Sequence, residues 1–237
     1  MLKISIVSPS VRSELLPIVK KCLDRQTLKA FEWLIVGPVK EANIEEPQKK
    51  EGDYYGLNKA WNKAFRQAKG SLIVSIVDGL WFDPHTLERL WEHYQTDPKS
   101  CVSCIGHQYD QIINGKPEHM VWRDPRARSD LGSFYEVPHT EMELCVASFP
   151  RQAVIDVGGV DEEFDKYAAM SEKEMMARMY AAGYKTYIDQ SIEYRAIQHP
   201  RLSTEWDKRY EAGIPYYQKC LMDIERGVRK SLDLFKK

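Results

Sequence analysis

The chain has 237 residues, which suits one substantial α/β domain with an appendage and leaves little room for two full domains. Hydrophobic residues make up 43% of it and charged residues 29%, a mixture typical of a packed globular protein and not of a disordered one. Because 34 Lys and Arg face 35 Asp and Glu, no global basic charge favours nucleic acid as a partner.

The N-terminal region predicts a βαβ opening. Residues 2–8 and 31–36 are short apolar runs rich in β-branched residues, and Leu15 to Leu28 between them has helical spacing. The first residues, MLKISIVSPS, lack the long apolar core of a signal peptide, and no run approaches the roughly 20 apolar residues of a membrane span. We therefore expect a cytoplasmic chain without a transmembrane segment.

The next segments predict a helix followed by a buried strand. After a polar stretch at 41–53, the apolar residues from Leu57 onward share one helix face, and the pattern ends at Gly70. Residues 71–77, SLIVSIV, form a nearly continuous apolar strand that stops at Asp78-Gly79. The end of such a strand is a position where chemistry is expected.

The second half alternates helices and strands and ends in a helical tail. The pattern predicts helices at 84–94, 151–157 and 171–182, strands at 101–105 and within 186–200, an irregular or hairpin segment at 111–138, and a tail from Thr204. Cys101 and Cys104 have CxxC spacing but no second CxxC or zinc-spaced His, so we interpret them as strand residues. We expect the tail to pack on the domain; Leu232, Leu234 and Phe235 leave membrane attachment as an alternative.

This alternation predicts an α/β fold with a mostly parallel central sheet flanked by helices, with its sites at the carboxyl ends of the strands. We assign residues 1–203 to the domain and 204–237 to a C-terminal helical extension. No Gly-rich loop follows the first strand in SPSVRSELLP, which disfavours a dinucleotide-binding dehydrogenase or a sugar nucleotidyltransferase.

Four segments, in order, resemble family 2 inverting glycosyltransferases of the GT-A fold. They are SIVSPS at the first strand; GLNKAWNKAFRQAKGSLIVSIVDGLWFDP at the helix, strand and acidic metal motif; CVASFPRQAVIDVGGVDEEF; and SEKEMMARMYAAGYKTYID with the later IQHP. Together they cover about residues 3 to 200. The resemblance implies transfer of a sugar from a UDP-, GDP- or dTDP-linked donor to a hydroxyl on a glycan or glycoconjugate, with inversion.

The resemblance also implies roles for individual residues. Asp78 and His199 would bind Mn²⁺ or Mg²⁺, although Gly79 and Leu80 stand where a further Asp is usual, and Asp78 could instead be a turn residue. The predicted donor-binding residues are Pro9, Ser10, Arg12, Asn62, Lys63, Asp78 and Gly79. Asn62, Lys63 and Arg66 are placed on the helix face opposite Ala60, Trp61 and Ala64, where a solvated polar face is the alternative.

Glu172 is the predicted catalytic base, at the position implied by counting back from Arg178. Glu174 is the alternative, but Ser171-x-x-Glu174 also has the spacing of a capping box, in which both side chains bond the first backbone N–H groups of a helix. Because the acidic metal motif is incomplete, a degenerate GT-A domain that binds a nucleotide sugar or glycan without turnover stays open as an alternative function.

Overall fold

The computed structural model describes residues 1–44, 50–51, 54–128, 130–199 and 205–235. Within these ranges the strands are Ile4–Pro9 (β1), Phe31–Val36 (β2), Lys50–Glu51 (β3), Tyr54–Tyr55 (β4), Leu72–Ile76 (β5), Leu80–Phe82 (β6), Ser100–Ile113 (β7), Lys116–Trp122 (β8), Phe134–Glu136 (β9), Val146–Pro150 (β10) and Lys185–Ile197 (β11). The α-helices are Leu16–Asp24 (α1), Leu57–Gln67 (α2), Thr86–Thr96 (α3), Arg151–Val157 (α4), Ser171–Ala181 (α5) and Trp206–Glu225 (α6).

The parallel core predicted from the apolar runs is confirmed. β1 lies between β2 and β5 and is parallel to both, with Ile4 opposite Phe31 on one side and Leu72 on the other. All the residues of β1 and β5 are buried, as expected for strands covered by helices on both faces. The carboxyl ends of β1 and β5 therefore meet at one edge, where Ser10 and Asp78 follow the two strands.

The main sheet continues with mixed pairing in the order β2-β1-β5-β10-β7-β11-β6. β10 is antiparallel to β5 and β7, β11 is parallel to β7, and the short β6 pairs antiparallel with the end of β11. The predicted fold class, an α/β domain with helices around a central sheet, is confirmed. β6 matters for the site because it begins two residues after Asp78 and returns the chain alongside β11.

The segment 100–122 is more regular than the sequence pattern predicts. The predicted strand at 101–105 extends to Ile113, and β8 returns antiparallel to it. The turn between them is Asn114-Gly115, and both residues have positive φ, 54° and 73°. An Asn-Gly pair adopts such a turn readily, because neither residue is strongly disfavoured in the left-handed region.

Helices cover both faces of the sheet. One face carries α2, α4 and α5, with Trp61, Phe65, Val154 and Met175 in its core. The other carries α1 and α3, with Val19, Leu23, Leu87 and Leu90 packed on the strands. Cys101 and Cys104 are buried strand residues of β7 with free thiols, in agreement with their interpretation.

The start of α5 differs from the prediction. The residue before the helix is Met170, with φ 72° and no side-chain cap bond, and Ser171 is already helical. The predicted capping box of Ser171 and Glu174 is therefore wrong. Glu174 is fully buried and its two carboxylate oxygens bond the Arg178 guanidinium at 2.8 and 2.7 Å, so its side chain cannot turn back to the helix end.

The C-terminal segment packs against α5 and the turn that precedes it. Arg229 donates to Glu174 and to Asp161, and Tyr216 of α6 donates to the same Asp161 carboxylate at 2.6 Å. Further along the chain, the Leu232 amide donates to the Val157 carbonyl at 2.9 Å, and Phe235 packs against the core.

The predicted domain boundary at 203/204 and the final two lysines lie outside the described residues. Among the helices of the described ranges, none is long and apolar enough to span a membrane.

Candidate active site

Ser10, Arg12 and Asp78 meet at the carboxyl ends of β1 and β5. The Ser10 hydroxyl donates to Asp78 Oδ2 at 2.7 Å and accepts the Arg12 backbone amide at 3.1 Å. The Arg12 guanidinium lies 3.5 Å from Asp78 Oδ1. The sequence prediction that places these residues at a common strand edge agrees with this geometry. Pro9, the last residue of β1, is buried and directly precedes Ser10.

The Asp78 carboxylate is 7% exposed and combines burial with nearby positive charge. Burial raises the pKa of the Asp78 carboxyl, while the Ser10 hydrogen bond and the charges of Arg12 and His199 offset part of this effect. The carboxylate at the end of β5 is thus buried and held between the Ser10 hydroxyl and the Arg12 guanidinium.

Gly79 brings the ends of β5 and β11 together. Its φ is 72°, and a Cβ at this position would lie 2.6 Å from Ile197 Cγ2. Its carbonyl accepts the Ile197 amide at 3.1 Å, two residues before His199. The residue predicted to bind donor directly therefore has a backbone role: a residue without a side chain is required for β11 to end beside Asp78.

Gly37 has a comparable role at the end of β2. Its φ is 150°, and an added Cβ would lie 1.8 Å from the Ser10 carbonyl oxygen. The Ser10 amide in turn donates to the Val36 carbonyl at 2.9 Å. The absence of a side chain at Gly37 lets the chain after β2 pass directly beside Ser10.

Asn62 occupies a different position from the one expected. It is fully buried, and its side-chain amide donates to the Val160 carbonyl at 2.8 Å and to Glu162 at 3.0 Å, while its oxygen accepts the Val160 amide at 2.9 Å. The solvated polar face, given as the alternative to donor binding, does not describe Asn62, because the turn after α4 packs over this part of α2. Lys63 is half-buried and Arg66 is exposed beside Phe235.

A cavity of about 540 Å³ opens beside this group, and we call it the Glu172 cavity. Val77, the residue before Asp78, is part of its wall, so the cavity adjoins the end of β5. Its wall is rich in aromatic and acidic side chains, namely Trp61, Glu143, Glu172, Trp206, Tyr210 and Tyr217. The stacked rings of Trp206 and Tyr210 are 5.1 Å apart at their centroids.

Glu172 and Glu174 are clearly distinguished by their surroundings. Glu172 keeps partial exposure at the cavity, and burial by the surrounding protein raises the pKa of its carboxyl, with the Glu143 charge adding to the rise. Glu174 is 0% exposed and is bound by Arg178 and Arg229. Of these two carboxylates, Glu172 lines the cavity and Glu174 does not.

Several cavity residues were missed from the sequence. Glu143 falls between the segment described as irregular or hairpin and the one that begins at Cys145, and no motif marks it; Cys145 begins a resembling segment but was given no role. Trp206 and Tyr210 were detectable in principle, because aromatic residues four apart on a helix share one face. Their position in the tail, beyond the four resembling segments, removed the reason to place them at the site.

Few side chains at this site could act as ligands of a metal ion. Asp78 offers carboxylate oxygen and His199 an imidazole nitrogen, whereas Leu80 at the usual second acidic position is a buried side chain of β6. In the described part of the chain, no group of three or more His, Cys, Asp or Glu residues could hold a metal ion. Asp78 and His199 alone would therefore be a partial ligand set for Mn²⁺ or Mg²⁺, and the remaining ligands would have to come from outside the chain.

Comparison with known proteins identifies the fold and the sequence family it resembles. The family model "Glycosyl transferase family 2" matches residues 49–158. The crystal structure of GalNAc-T7 with UDP, GalNAc and Mn²⁺ superposes with a TM-score of 0.66 at 13% identity, covering 97% of this chain and 51% of that chain. The fold is GT-A. The resemblance to family 2 is confirmed by the matched segment.

A second structure of the same fold is S. aureus TarS 1-349 in complex with UDP, with a TM-score of 0.55, 14% identity, and coverage of 94% of this chain and 71% of that one. The present chain spans about half the length of the GalNAc-T7 structure. A search of curated protein sequences found no significant match. The family 2 match includes Asp78 and α2 of the GT-A domain and ends before Glu172 and His199.

Proposed function

We propose that the chain transfers a sugar from a nucleotide-diphosphate sugar to a hydroxyl group of a glycan or glycoconjugate, with inversion at the anomeric carbon. The observation that carries the proposal is the meeting of Ser10, Arg12 and Asp78 at the ends of β1 and β5, next to a cavity that contains Glu172. In open α/β sheets, ligands bind beyond the carboxyl ends of strands, which is where both groups lie.

In this proposal the nucleotide-sugar donor binds at the carboxyl ends of β1 and β5. Arg12 carries a positive charge that complements a diphosphate, and its contact with Asp78 is long enough, at 3.5 Å, to be exchanged for a phosphate oxygen. Ser10 and Pro9 provide the adjoining backbone and hydroxyl surface. Both structural neighbours were crystallised with UDP, which supports a nucleoside diphosphate here without selecting among UDP-, GDP- and dTDP-linked sugars.

Asp78 and His199 are the proposed ligands of Mn²⁺ or Mg²⁺. A divalent cation bound there would neutralise charge on the leaving diphosphate. The GalNAc-T7 neighbour contains Mn²⁺, which supports this choice of ion. The chain's own contribution is the buried carboxylate, fixed by the Ser10 hydroxyl, and the Gly79 turn that brings the end of β11 beside it.

Glu172 is the proposed general base. Its carboxylate takes the proton of the acceptor hydroxyl as that oxygen forms a bond to the anomeric carbon, and the bond from this carbon to the diphosphate oxygen breaks on the opposite side. The electron pair of the broken bond leaves with the nucleoside diphosphate. A carboxyl with a raised pKa is the stronger base once ionised, which suits proton removal from a hydroxyl.

A binding experiment tests the donor site. Titration calorimetry of UDP- and GDP-sugars is expected to show tighter binding with Mn²⁺ than with EDTA in the wild type, and a marked loss of the Mn²⁺ effect in Asp78→Ala. Asp83→Ala is the matched control, because Asp83 is an exposed carboxylate that follows β6. Equal affinity in Mn²⁺ and EDTA would remove the metal from the proposal; equal affinity in wild type and Asp78→Ala would remove the donor site itself.

A degenerate GT-A domain that binds nucleotide sugar without turnover is the second candidate. The observation that favours it is Leu80, which is 2% exposed and pairs with Ala196 where a second metal-binding carboxylate is usual. The two candidates share donor binding and differ in product formation. Donor affinity without release of nucleoside diphosphate in the presence of glycan acceptors would select the non-catalytic candidate.

A further inference from the structure

A second cavity, of about 630 Å³, lies between α1 and the tip of the β7–β8 hairpin. It is lined by Trp81 of β6, by Lys21 of α1 and Arg25 directly after this helix, and by Lys116 and Glu118 of β8. None of these residues belongs to the group of Ser10, Arg12 and Asp78 or to the Glu172 cavity. The cavity is therefore a separate feature of the molecule.

Positively charged side chains surround the Trp81 ring. The Lys116 ammonium lies 4.5 Å from the ring centroid, and the guanidinium groups of Arg25 and Arg195 lie 5.0 and 5.6 Å from it. Such contacts attract a cation to the face of an indole. They place several like charges close together, which is unfavourable unless negative charge lies nearby.

The negative charge present is too small to balance them. Glu118 bonds Arg195 at 3.1 Å and lies 3.8 Å from the Lys116 ammonium, so its single charge is shared. Within the described ranges, no carboxylate comes within 4.0 Å of the side-chain nitrogens of Lys21 or Arg25. The concave wall thus holds an excess of positive charge, which concentrates the electrostatic field inside the cavity.

The cavity walls are held in place by contacts that do not use up these donors. The Lys21 ammonium donates to the Asn114 carbonyl at 3.3 Å and keeps two further N–H groups, and Arg25 Nε donates to the Lys21 carbonyl at 3.3 Å. Gly115 lies in the turn of this hairpin with φ 73°, a backbone conformation that favours glycine. The Lys21 hydrogen bond thus joins α1 to the hairpin tip, and the side chains of Lys21, Arg25 and Lys116 line the same cavity.

We propose that this cavity binds a phosphate group of a phosphate-bearing ligand, with Lys21, Arg25 and Lys116 as its cationic contacts. A guanidinium fork matches the oxygens of phosphate, and a group with up to two negative charges balances the excess that Glu118 leaves. The ligand is either a soluble phosphate compound or an anionic lipid head group. The exposed Ile112 and Ile113 beside the cavity would enter the bilayer boundary in the second case.

Calorimetry with sodium pyrophosphate in EDTA, and co-sedimentation with vesicles of phosphatidylglycerol or of phosphatidylcholine, test the proposal. The test variant is Lys21→Ser/Arg25→Ser, and Lys20→Ser/Lys40→Ser is its control, because it removes the same charge from exposed residues outside the cavity. Saturable binding to pyrophosphate or to phosphatidylglycerol vesicles is expected, weakened about tenfold or more in the test variant, as for loss of charged hydrogen bonds, and kept in the control.

The two arms separate the sources of phosphate. Binding to pyrophosphate indicates a soluble ligand, and binding only to phosphatidylglycerol vesicles indicates a lipid head group; each supports the site. Lys116→Ser gives a second, milder variant that must also weaken binding, so that unfolding of the double variant cannot decide the result. No saturable binding in either arm, or equal loss in test and control variants, overturns the proposal. The outcome is independent of glycosyl transfer, since the experiment measures no turnover.

Discussion

At the scale of single residues, the raised pKa of Glu172, the proposed general base, sets the pH dependence expected of the proposed reaction. Burial and the neighbouring Glu143 raise the pKa of its carboxyl, and a base acts only when ionised. The rate should therefore rise as pH increases through this raised pKa, above the ordinary value of about 4.3 for Glu. Glu143→Gln removes a like charge and should move the acid limb of the kcat/KM profile to lower pH. An acid limb that stays in place in this variant would contradict the assigned base.

The raised pKa of Glu172 also makes the free energy of unfolding depend on pH. Because the folded-state pKa of Glu172 is raised above its unfolded value, the folded protein holds this proton more tightly, and the resulting stabilisation is lost as pH rises through the folded pKa. A neutral Gln has no such dependence. Glu172→Gln should therefore be more stable than the wild type at neutral pH and lose this advantage in acid.

Substitution of Glu172 also tests its catalytic role. Glu172→Gln keeps the shape of the side chain and removes its basicity, so turnover should fall by about 10² to 10⁴ while donor affinity is retained. Glu163→Gln is the control, since Glu163 forms only a surface ion pair with Lys166. Steady-state kinetics and donor titration measure both effects. Undiminished turnover in Glu172→Gln would refute the proposed mechanism.

At the scale of elements, the C-terminal segment stabilises the helix that carries Glu172. Arg229 joins Glu174 of α5 to Asp161 of the preceding turn, and Arg178 completes a buried set of two acids and two bases. Removing Arg229 leaves Glu174 with Arg178 and Asp161 with Tyr216, so the loss is that of hydrogen bonds between charged groups, about 1.5 to 3 kcal/mol. The tail is thus part of the support of the site.

Arg229→Met is expected to lower the free energy of unfolding by about 2 kcal/mol, because it removes the charged hydrogen bonds to Glu174 and Asp161 from a side chain that is 18% exposed. Arg226→Met is the control, since Arg226 is exposed at the end of α6. Urea denaturation of both variants measures the difference. Equal stability of Arg229→Met and wild type would show that the network does not hold α5 in place.

The sequence pattern predicted the helix of Glu172 but not its contacts. The spacing Ser171-x-x-Glu174 indicated a cap, whereas the tertiary partners of Glu174 are Arg178 and Arg229, and the latter is 55 residues away. A local motif cannot reveal a partner at that separation. For the same reason Asn62 was assigned to a polar face, although a turn about 100 residues later in the chain covers it.

At the scale of the whole molecule, the order of apolar runs was sufficient to predict the parallel core and the strand ends at Ser10 and Asp78. Strands buried on both faces are continuously apolar and end abruptly, so their positions are clear in sequence. The β7–β8 hairpin was not resolved as strands because its outer half is exposed and has no consistent alternation. The basic cavity at its tip, formed with α1 and β6, could not be predicted from any one segment.

We propose that a nucleotide-diphosphate sugar binds at the ends of β1 and β5. Thermal unfolding with UDP-, GDP-, dTDP- and CMP-linked sugars in Mn²⁺ tests it most directly, because a ligand at 100 times its Kd stabilises the folded state by about 2.7 kcal/mol. At roughly 2 to 4 °C per kcal/mol for a chain of this size, one diphosphate-linked sugar is expected to raise the Tm by about 5 to 11 °C. The monophosphate-linked CMP-sugar should have little effect, and Asp78→Ala should lose the shift. An unchanged Tm with every diphosphate-linked sugar, or the same rise in Tm in Asp78→Ala, would contradict donor binding at this site.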